Sequence, residues 1–280
     1  MELIGQRASD RLVPPIAPKR DKALEAAIAT CAIRLNFQPQ LAVEDGRLVG
    51  VEALSRWPAE PSSEFMFVRA VAAGLGERLS RHVQASAIAT ASQWTGPLGH
   101  VRLSLNCVAA DLARPNYNNW LIAECWRAGI DPARLTLEIT ESSLVIDRAL
   151  AAAKLAWLRE WGVRIAIDDF GTGYANMPYL TALPLDSLKI DRELVAGLEN
   201  ERNRIVVRSI IAMARDLGLE TCAEGVESAS QREMLTDWGC TTMQGYLIAP
   251  ALDEQALAAF ALSGFSPSLG DGEGDRSQER

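Results

Sequence analysis

The sequence predicts an α/β fold, a TIM-like (β/α)8 barrel whose first strand runs antiparallel to its neighbour. Three observations lead there. Short apolar strand-like runs alternate with helical patterns along most of the chain. Gly129, Gly162, Gly218 and Gly239 each stand where a helix must stop and a strand begin. The first two strand-like runs follow each other directly, joined at Glu44-Asp45-Gly46, where Asp-Gly supplies the left-handed position of a tight hairpin. About eight strands interleaved with helices over roughly 240 residues is the size of such a barrel. A doubly wound open sheet shares the alternation and is the alternative from pattern alone.

Residues 1–20, with Pro14, Pro15 and Pro18 among scattered charges, read as an N-terminal tail or linker. The hairpin strands fall at 35–43 and 48–56, and a helical pattern follows at 78–94. Strand 101–106 precedes helix 117–128, and strand 135–139 precedes helix 148–161. Strands 163–167 and 185–190 come next, then helix 201–217, strand 220–224, helix 230–238, strand 242–247 and helix 254–262. Residues 264–280, rich in Ser, Gly, Asp and Glu, read as a disordered C-terminal tail, which leaves one domain over 21–263.

Bulk properties narrow the function classes. Lys plus Arg number 28 against 36 Asp plus Glu, a net charge of -8. No basic face is available to release counterions from a polyanion, so a nucleic-acid polymer is not an expected partner. No apolar stretch is long enough to span a bilayer, and residues 1–20 carry no signal-peptide core. The five cysteines are odd in number and form no CxxC pair, which fits reduced thiols and a cytoplasmic location. With His82 and His100 as the two histidines, a histidine-based zinc or iron centre is not expected.

The polar residues of the strands carry the chemistry. Asp168 and Asp169 sit side by side at the end of an apolar run, before the turn Phe170-Gly171-Thr172-Gly173-Tyr174. Two close unpaired carboxylates cost several kcal/mol unless a cation neutralises them. Glu52, Asn106, Glu138, Lys189, Glu224 and Gln244 fall in or directly after other strand runs, so a closed barrel would bring them to one mouth. Carboxylates and an amide are hard oxygen donors, suited to Mg2+ or Mn2+, and a shared aspartate could bridge two ions. Any one of these residues alone reads as a salt-bridged strand end or a snorkelling lysine; the set together reads as a metal site.

With those residues in view, the chain resembles the EAL-domain cyclic-di-GMP phosphodiesterases over residues 34 to 262. Glu52-Ala53-Leu54 with Arg56 matches the namesake pattern, and Phe37-Gln38-Pro39 resembles the family's opening motif. Leu137-Glu138-Ile139-Thr140-Glu141, the run from Asp168 to Met177, Leu188-Lys189-Ile190-Asp191, Ala223-Glu224-Gly225-Val226-Glu227 and Gln244-Gly245-Tyr246 follow in family order. The resemblance implies hydrolysis of cyclic di-GMP to linear pGpG with two Mg2+ or Mn2+ ions; excess Ca2+, which prefers looser and larger coordination than Mg2+, is expected to inhibit. It implies one ion on Glu52, Asn106, Glu138 and Asp168, and a second on Asp168, Asp169 and Glu224. Lys189 would face the nucleophilic water, Gln244 would support the site, and Gln38 and Arg56 would hold substrate. Glu141 and Glu227 would act from behind the ligands. The loop from Phe170 to Met177 resembles a regulatory element tied to a dimer interface, so a homodimer is expected. Ala175-Asn176 stand where two serines are usual, Val71-Ala72-Ala73 where the family is acidic, and Pro250-Ala251 where Arg-Pro is usual. None of these removes a ligand position.

Two other readings compete. A cyclic-di-GMP receptor or protein-interaction module would bind without cutting, but such members lose ligand positions that are all filled here. A barrel glycosidase would use two carboxylates but leaves Asn106, Lys189 and the adjacency of Asp168 and Asp169 without a role.

Overall fold

The computed structural model describes residues 20–140, 148–171 and 177–264. Eight strands close into a barrel in chain order: β1 (Arg34–Ala42), β2 (Leu48–Arg56), β3 (Arg102–Cys107), β4 (Leu135–Thr140), β5 (Arg164–Phe170), β6 (Ser187–Ile190), β7 (Glu220–Ala223) and β8 (Thr242–Met243). From β2 to β8 all neighbours pair in parallel, whereas β1 is antiparallel to both β2 and β8. The expected departure from strict alternation is thus present, and its cause is the short turn. Gly46 adopts φ +69° and its N–H bonds to the Ala42 carbonyl. A connection that short cannot make the crossover a parallel pair needs.

Helices cover the barrel's outside: α1 (Lys22–Ala29), α2 (Ser63–Ala72), α3 (Gly76–Ser92), α4 (Ala109–Ala113), α5 (Tyr117–Ala128), α6 (Arg148–Glu160), α7 (Met177–Ala182), α8 (Arg192–Ala196), α9 (Glu201–Asp216), α10 (Ala229–Asp237) and α11 (Glu254–Ser263). Gly129, Gly162, Gly218 and Gly239 all take positive φ after their helices, as their placement implied. Helices α1, α2, α4, α7 and α8 were not expected, and the strand expected over 242–247 ends at Met243. The reason lies at Gly245, whose φ is +156° and whose Cβ, had it one, would lie 2.2 Å from the Val226 backbone N and O. The chain leaves the sheet there to pass against the loop after β7.

The main core lies between strands and helices, with Leu103, Leu137, Ile165 and Leu188 fully buried. A second cluster of Leu24, Ile28, Met66, Ala70 and Leu79 joins α1, α2 and α3. Arg69 pins this layer: its guanidinium bonds Asp21 at 2.5 and 3.0 Å and Glu60 at 2.5 Å, and it lies over the Trp57 ring. The Arg69 hydrogen bond, with the Leu24 N–H next, lowers the Asp21 carboxyl from 3.8 to about 2. A lowered folded value gives stability present above pH 3.8 and lost as pH falls through about 2. Asp21→Asn is therefore expected to melt below the parent at pH 7, with the gap closing as pH drops through that window. A gap that persists at the acid end would refute the charge pairing.

Four of the five cysteines are buried, Cys31 is exposed, and all five are free thiols. Among the described residues no helix is long and apolar enough to cross a membrane. The tails expected at 1–20 and 264–280 fall, apart from Arg20 and Gly264, outside the described residues.

Candidate active site

The polar residues singled out from the strands meet at one end of the barrel. Glu52 on β2 stands opposite Gln38 on β1 and beside Ser104 on β3, and Asn106 pairs with Glu138 across β3 and β4. Glu224 follows β7 and Gln244 follows β8. The centre of the group is Lys189 on β6, only 2% exposed. Its Nζ lies 2.7 Å from Glu138, 2.6 Å from Glu224, 3.1 Å from Asp168 and 3.3 Å from Glu52. Asn106 Nδ2 donates to Glu52 Oε1 at 2.9 Å, and Gln244 Nε2 donates to Glu52 Oε2 at 2.9 Å and to Glu224 at 3.4 Å.

Neighbouring residues of a regular strand point to opposite faces, so adjacency alone does not give Asp168 and Asp169 a common site. The backbone supplies the difference. Ile167 pairs with Leu188 but Phe170 pairs with Ile190, so β5 carries one residue more than β6 across this stretch. Asp169 takes φ +54° in that bulge, and its N–H bonds Asp168 Oδ1 at 3.0 Å. A bulge of this kind re-aims side chains at the sheet's end. One ligand atom each from Asp168, Asp169 and Glu224 then lies within 4.8 Å of the others. Three carboxylates at that spacing fit one hard divalent cation.

The electrostatics are those of a cluster short of positive charge. Burial pushes Glu138 well above the ordinary carboxylate range; Lys189 opposes this, and Glu52 and Asp168 add to it. Burial likewise pushes Glu224 up to about 8 against the pull of Lys189. Asp169 is raised by burial and then by the charge of Asp168. Glu52 is the exception: burial acts strongly, but Lys189 and the amides of Gln244 and Asn106 leave it lowered. Burial works against the Lys189 ammonium as well, yet the four carboxylates hold it charged, well above its ordinary value. One ammonium shared by four carboxylates leaves negative charge that bound cations would neutralise.

Not every expected residue joins the cluster. Arg56 is exposed at the end of β2, its guanidinium on the Ser55 carbonyl. Glu227 is exposed at the entrance to α10, its backbone N–H held by Gln231. Glu141 and Ala175-Asn176 lie outside the described residues. Two residues that were not singled out matter. Gln40 donates to Gln244 Oε1 at 2.9 Å and so turns the Gln244 amine toward Glu52. Its signal was Gly50 opposite it on β2, where a Cβ would lie 2.6 Å from Gln40 Oε1. The second is Gln84 on α3, which donates to the Asn106 carbonyl at 2.9 Å.

A family model described as EAL domain matches residues 21–251. An uncharacterized protein of Azorhizobium caulinodans is 37% identical over 233 residues, covering 80% of this chain and 32% of its own. Cyclic di-GMP phosphodiesterase PA2567 of Pseudomonas aeruginosa is 36% identical over 259 residues, covering 88% of this chain and 44% of its own. The chain thus spans less than half the length of these curated relatives. Among solved structures, the c-di-GMP complex of the PaMucR phosphodiesterase superposes with a TM-score of 0.77 at 31% identity, covering 84% of this chain and 97% of that one.

Proposed function

The chain belongs to the EAL domain family, and we propose that it hydrolyses cyclic di-GMP to linear pGpG with two Mg2+ or Mn2+ ions. The observation that carries this reading is the convergence of Glu52, Glu138, Asp168 and Glu224 on Lys189, with the Asp168–Asp169–Glu224 ligand atoms within 4.8 Å of one another. Glu52, Asn106, Glu138 and Asp168 would hold one ion, and Asp168, Asp169 and Glu224 would hold the other. Bound there, the pair would supply a water of lowered pKa and positive charge for an in-line displacement at phosphorus.

The chain's own residues do the rest. Lys189 holds the attacking water by hydrogen bonding and stays protonated throughout. Gln244, turned by Gln40, keeps the Glu52 carboxylate aimed into the site. Gln38, directly across from Glu52, and Arg56 at the end of β2 hold the dinucleotide in this reading, Arg56 through a phosphate oxygen. Glu141 and Glu227 are assigned to positioning the loops that carry the ligands. A homodimer and a cytoplasmic location complete the proposal.

Retention of all the carboxylates favours catalysis over the binding-only reading. The test is incubation of the purified protein with cyclic di-GMP and Mg2+ or Mn2+, with separation of products. Formation of pGpG is expected, and excess Ca2+ is expected to suppress it because Ca2+ prefers a looser, larger ligand shell. Binding without turnover in both metals would replace this proposal with the receptor reading. Full activity in excess Ca2+ would count against the metal geometry.

A further inference from the structure

Helix α3 carries an anomaly on the face it buries. Among Leu79, Ala87, Ile88 and Ala91 stand two polar residues four apart, Ser80 and Gln84, each 2% exposed. Buried polar side chains are costly unless bonded, and both are. Ser80 Oγ donates to the Asp111 carboxylate at 2.7 and 2.9 Å. Gln84 Nε2 donates to the Asn106 carbonyl at 2.9 Å and to Asp111 Oδ2 at 3.3 Å, while Gln84 Oε1 accepts from the Tyr117 hydroxyl at 3.2 Å. Asp111, 1% exposed, is held in turn by Arg114 at 2.6 Å and the Val108 N–H at 3.2 Å. Every bond of the Gln84 amide therefore has a fixed partner, and its orientation is set.

The place where this network ends is informative. The β2–β3 ladder runs out at the pair Glu52–Ser104, two residues before Asn106, while β4 still pairs with Asn106 through Glu138. Asn106 is exposed and held by the sheet on one side. Its side-chain amide nevertheless meets Glu52 at 2.9 Å. The Gln84 amide supplies the hold that β2 does not.

We propose that Gln84 is a positioning residue for Asn106, fixing the height of the strand end so that the Asn106 amide oxygen serves the ion it shares with Glu52, and that Asp111 anchors Gln84 in that role. The proposal rests on the reading of Asn106 as a metal ligand given above. It predicts a sensitivity that packing alone does not. Partners behind metal ligands commonly change metal affinity or activity by about 10- to 100-fold when removed.

The experiment compares the full chain with Gln84→Met, which keeps the volume and loses the amide, Tyr117→Phe, which removes only the hydroxyl on Gln84, and Ser80→Ala, which removes a bond to Asp111 without touching Gln84. Mn2+ is titrated calorimetrically without substrate, and kcat, KM and Tm are measured alongside. Gln84→Met is expected to weaken Mn2+ binding about 10- to 100-fold and to lower kcat with KM little changed. Tyr117→Phe is expected to follow in the same direction by a smaller factor, and it decides the matter if Gln84→Met does not fold. Ser80→Ala, which leaves Gln84 its own three partners, is expected to lower Tm and to move Mn2+ binding less than Tyr117→Phe does. Parental Mn2+ binding in folded Gln84→Met, or in Tyr117→Phe where that variant decides, overturns the proposal whatever happens to Tm. If the parent binds Mn2+ without cleaving cyclic di-GMP, the hydrolytic reading falls and the binding arm still decides. If the parent binds no Mn2+, both fall together.

Discussion

Glu52→Ala is expected to abolish cyclic-di-GMP hydrolysis and to lower the melting temperature of the metal-free protein without unfolding it. Glu52 accepts from Asn106 and Gln244 at 2.9 Å each and sits 3.3 Å from Lys189, so it is the acceptor on which both amides and the lysine meet. Its removal takes away a proposed ligand and frees the Asn106 amide that shares the same ion. A loss on the order of 10³-fold or more follows if the carboxylate acts on the reacting groups. Stability should fall as well, because Lys189 and the two amides hold the Glu52 carboxyl below its ordinary value and its removal leaves the Asn106 and Gln244 amides without the acceptor they share. Relief of repulsion on Glu138 and Glu224 offsets only part of that loss. The isosteric Glu52→Gln keeps the shape and tests the charge alone. Product analysis in Mn2+, paired with melting in EDTA, checks both halves. An unchanged rate would sink the metal assignment; lost activity with a collapsed Tm would show that Glu52 is there to hold the fold.

The barrel was legible because its punctuation is local. Gly46 in the hairpin and the four glycines ending helices each take the left-handed backbone that their sequence context demanded. Five helices escaped, three of them for identifiable reasons. α4 and α8 have 5 residues each, too short for a helical period to show. α2 buries Met66 and Ala70 while exposing Phe65, Val68 and Val71, so its apolar pattern does not mark one face. The apolar residues after Gln244 read as more strand, and only the approach of Gly245 to Val226 shows why β8 stops.

The site was legible as a set of residue types and much less as a geometry. Hard-donor chemistry follows from which residues stand at the strand ends. That Asp168 and Asp169 serve one place follows from a bulge, which pairing with β6 creates and which the sequence of β5 alone does not mark. Lys189 read as one polar residue among several, and its position at the centre of four carboxylates depends on four other strands. Gln40 and Gln84 were missed because their partners are more than 20 residues away in the chain. The signals they did leave were of another kind, a glycine within a strand and a polar pair within a buried helical face.

Lys189→Met should separate metal binding from catalysis in the opposite sense to Glu52→Ala. The methionine fills the volume but leaves Glu52, Glu138, Asp168 and Glu224 without the ammonium they share. Removing one partner from a buried ionic cluster costs about 3–5 kcal/mol, so a marked fall of Tm in EDTA is expected. Cations should restore it, since the freed carboxylates then have a replacement for the missing charge. A ligand that binds only the folded state stabilises in proportion to the logarithm of its concentration over its Kd. The Mn2+-induced rise in Tm should therefore be larger in Lys189→Met than in the parent, because no ammonium competes for Asp168 and Glu224. Hydrolysis should nevertheless fall by about 10²- to 10³-fold, the range for losing one hydrogen-bond donor aimed at the reacting groups. Tighter metal with dead chemistry is a combination that a purely structural lysine does not produce. A Mn2+ shift equal to the parent's would mean that Lys189 does not sit among the metal-binding carboxylates, and retained turnover would remove it from the reaction.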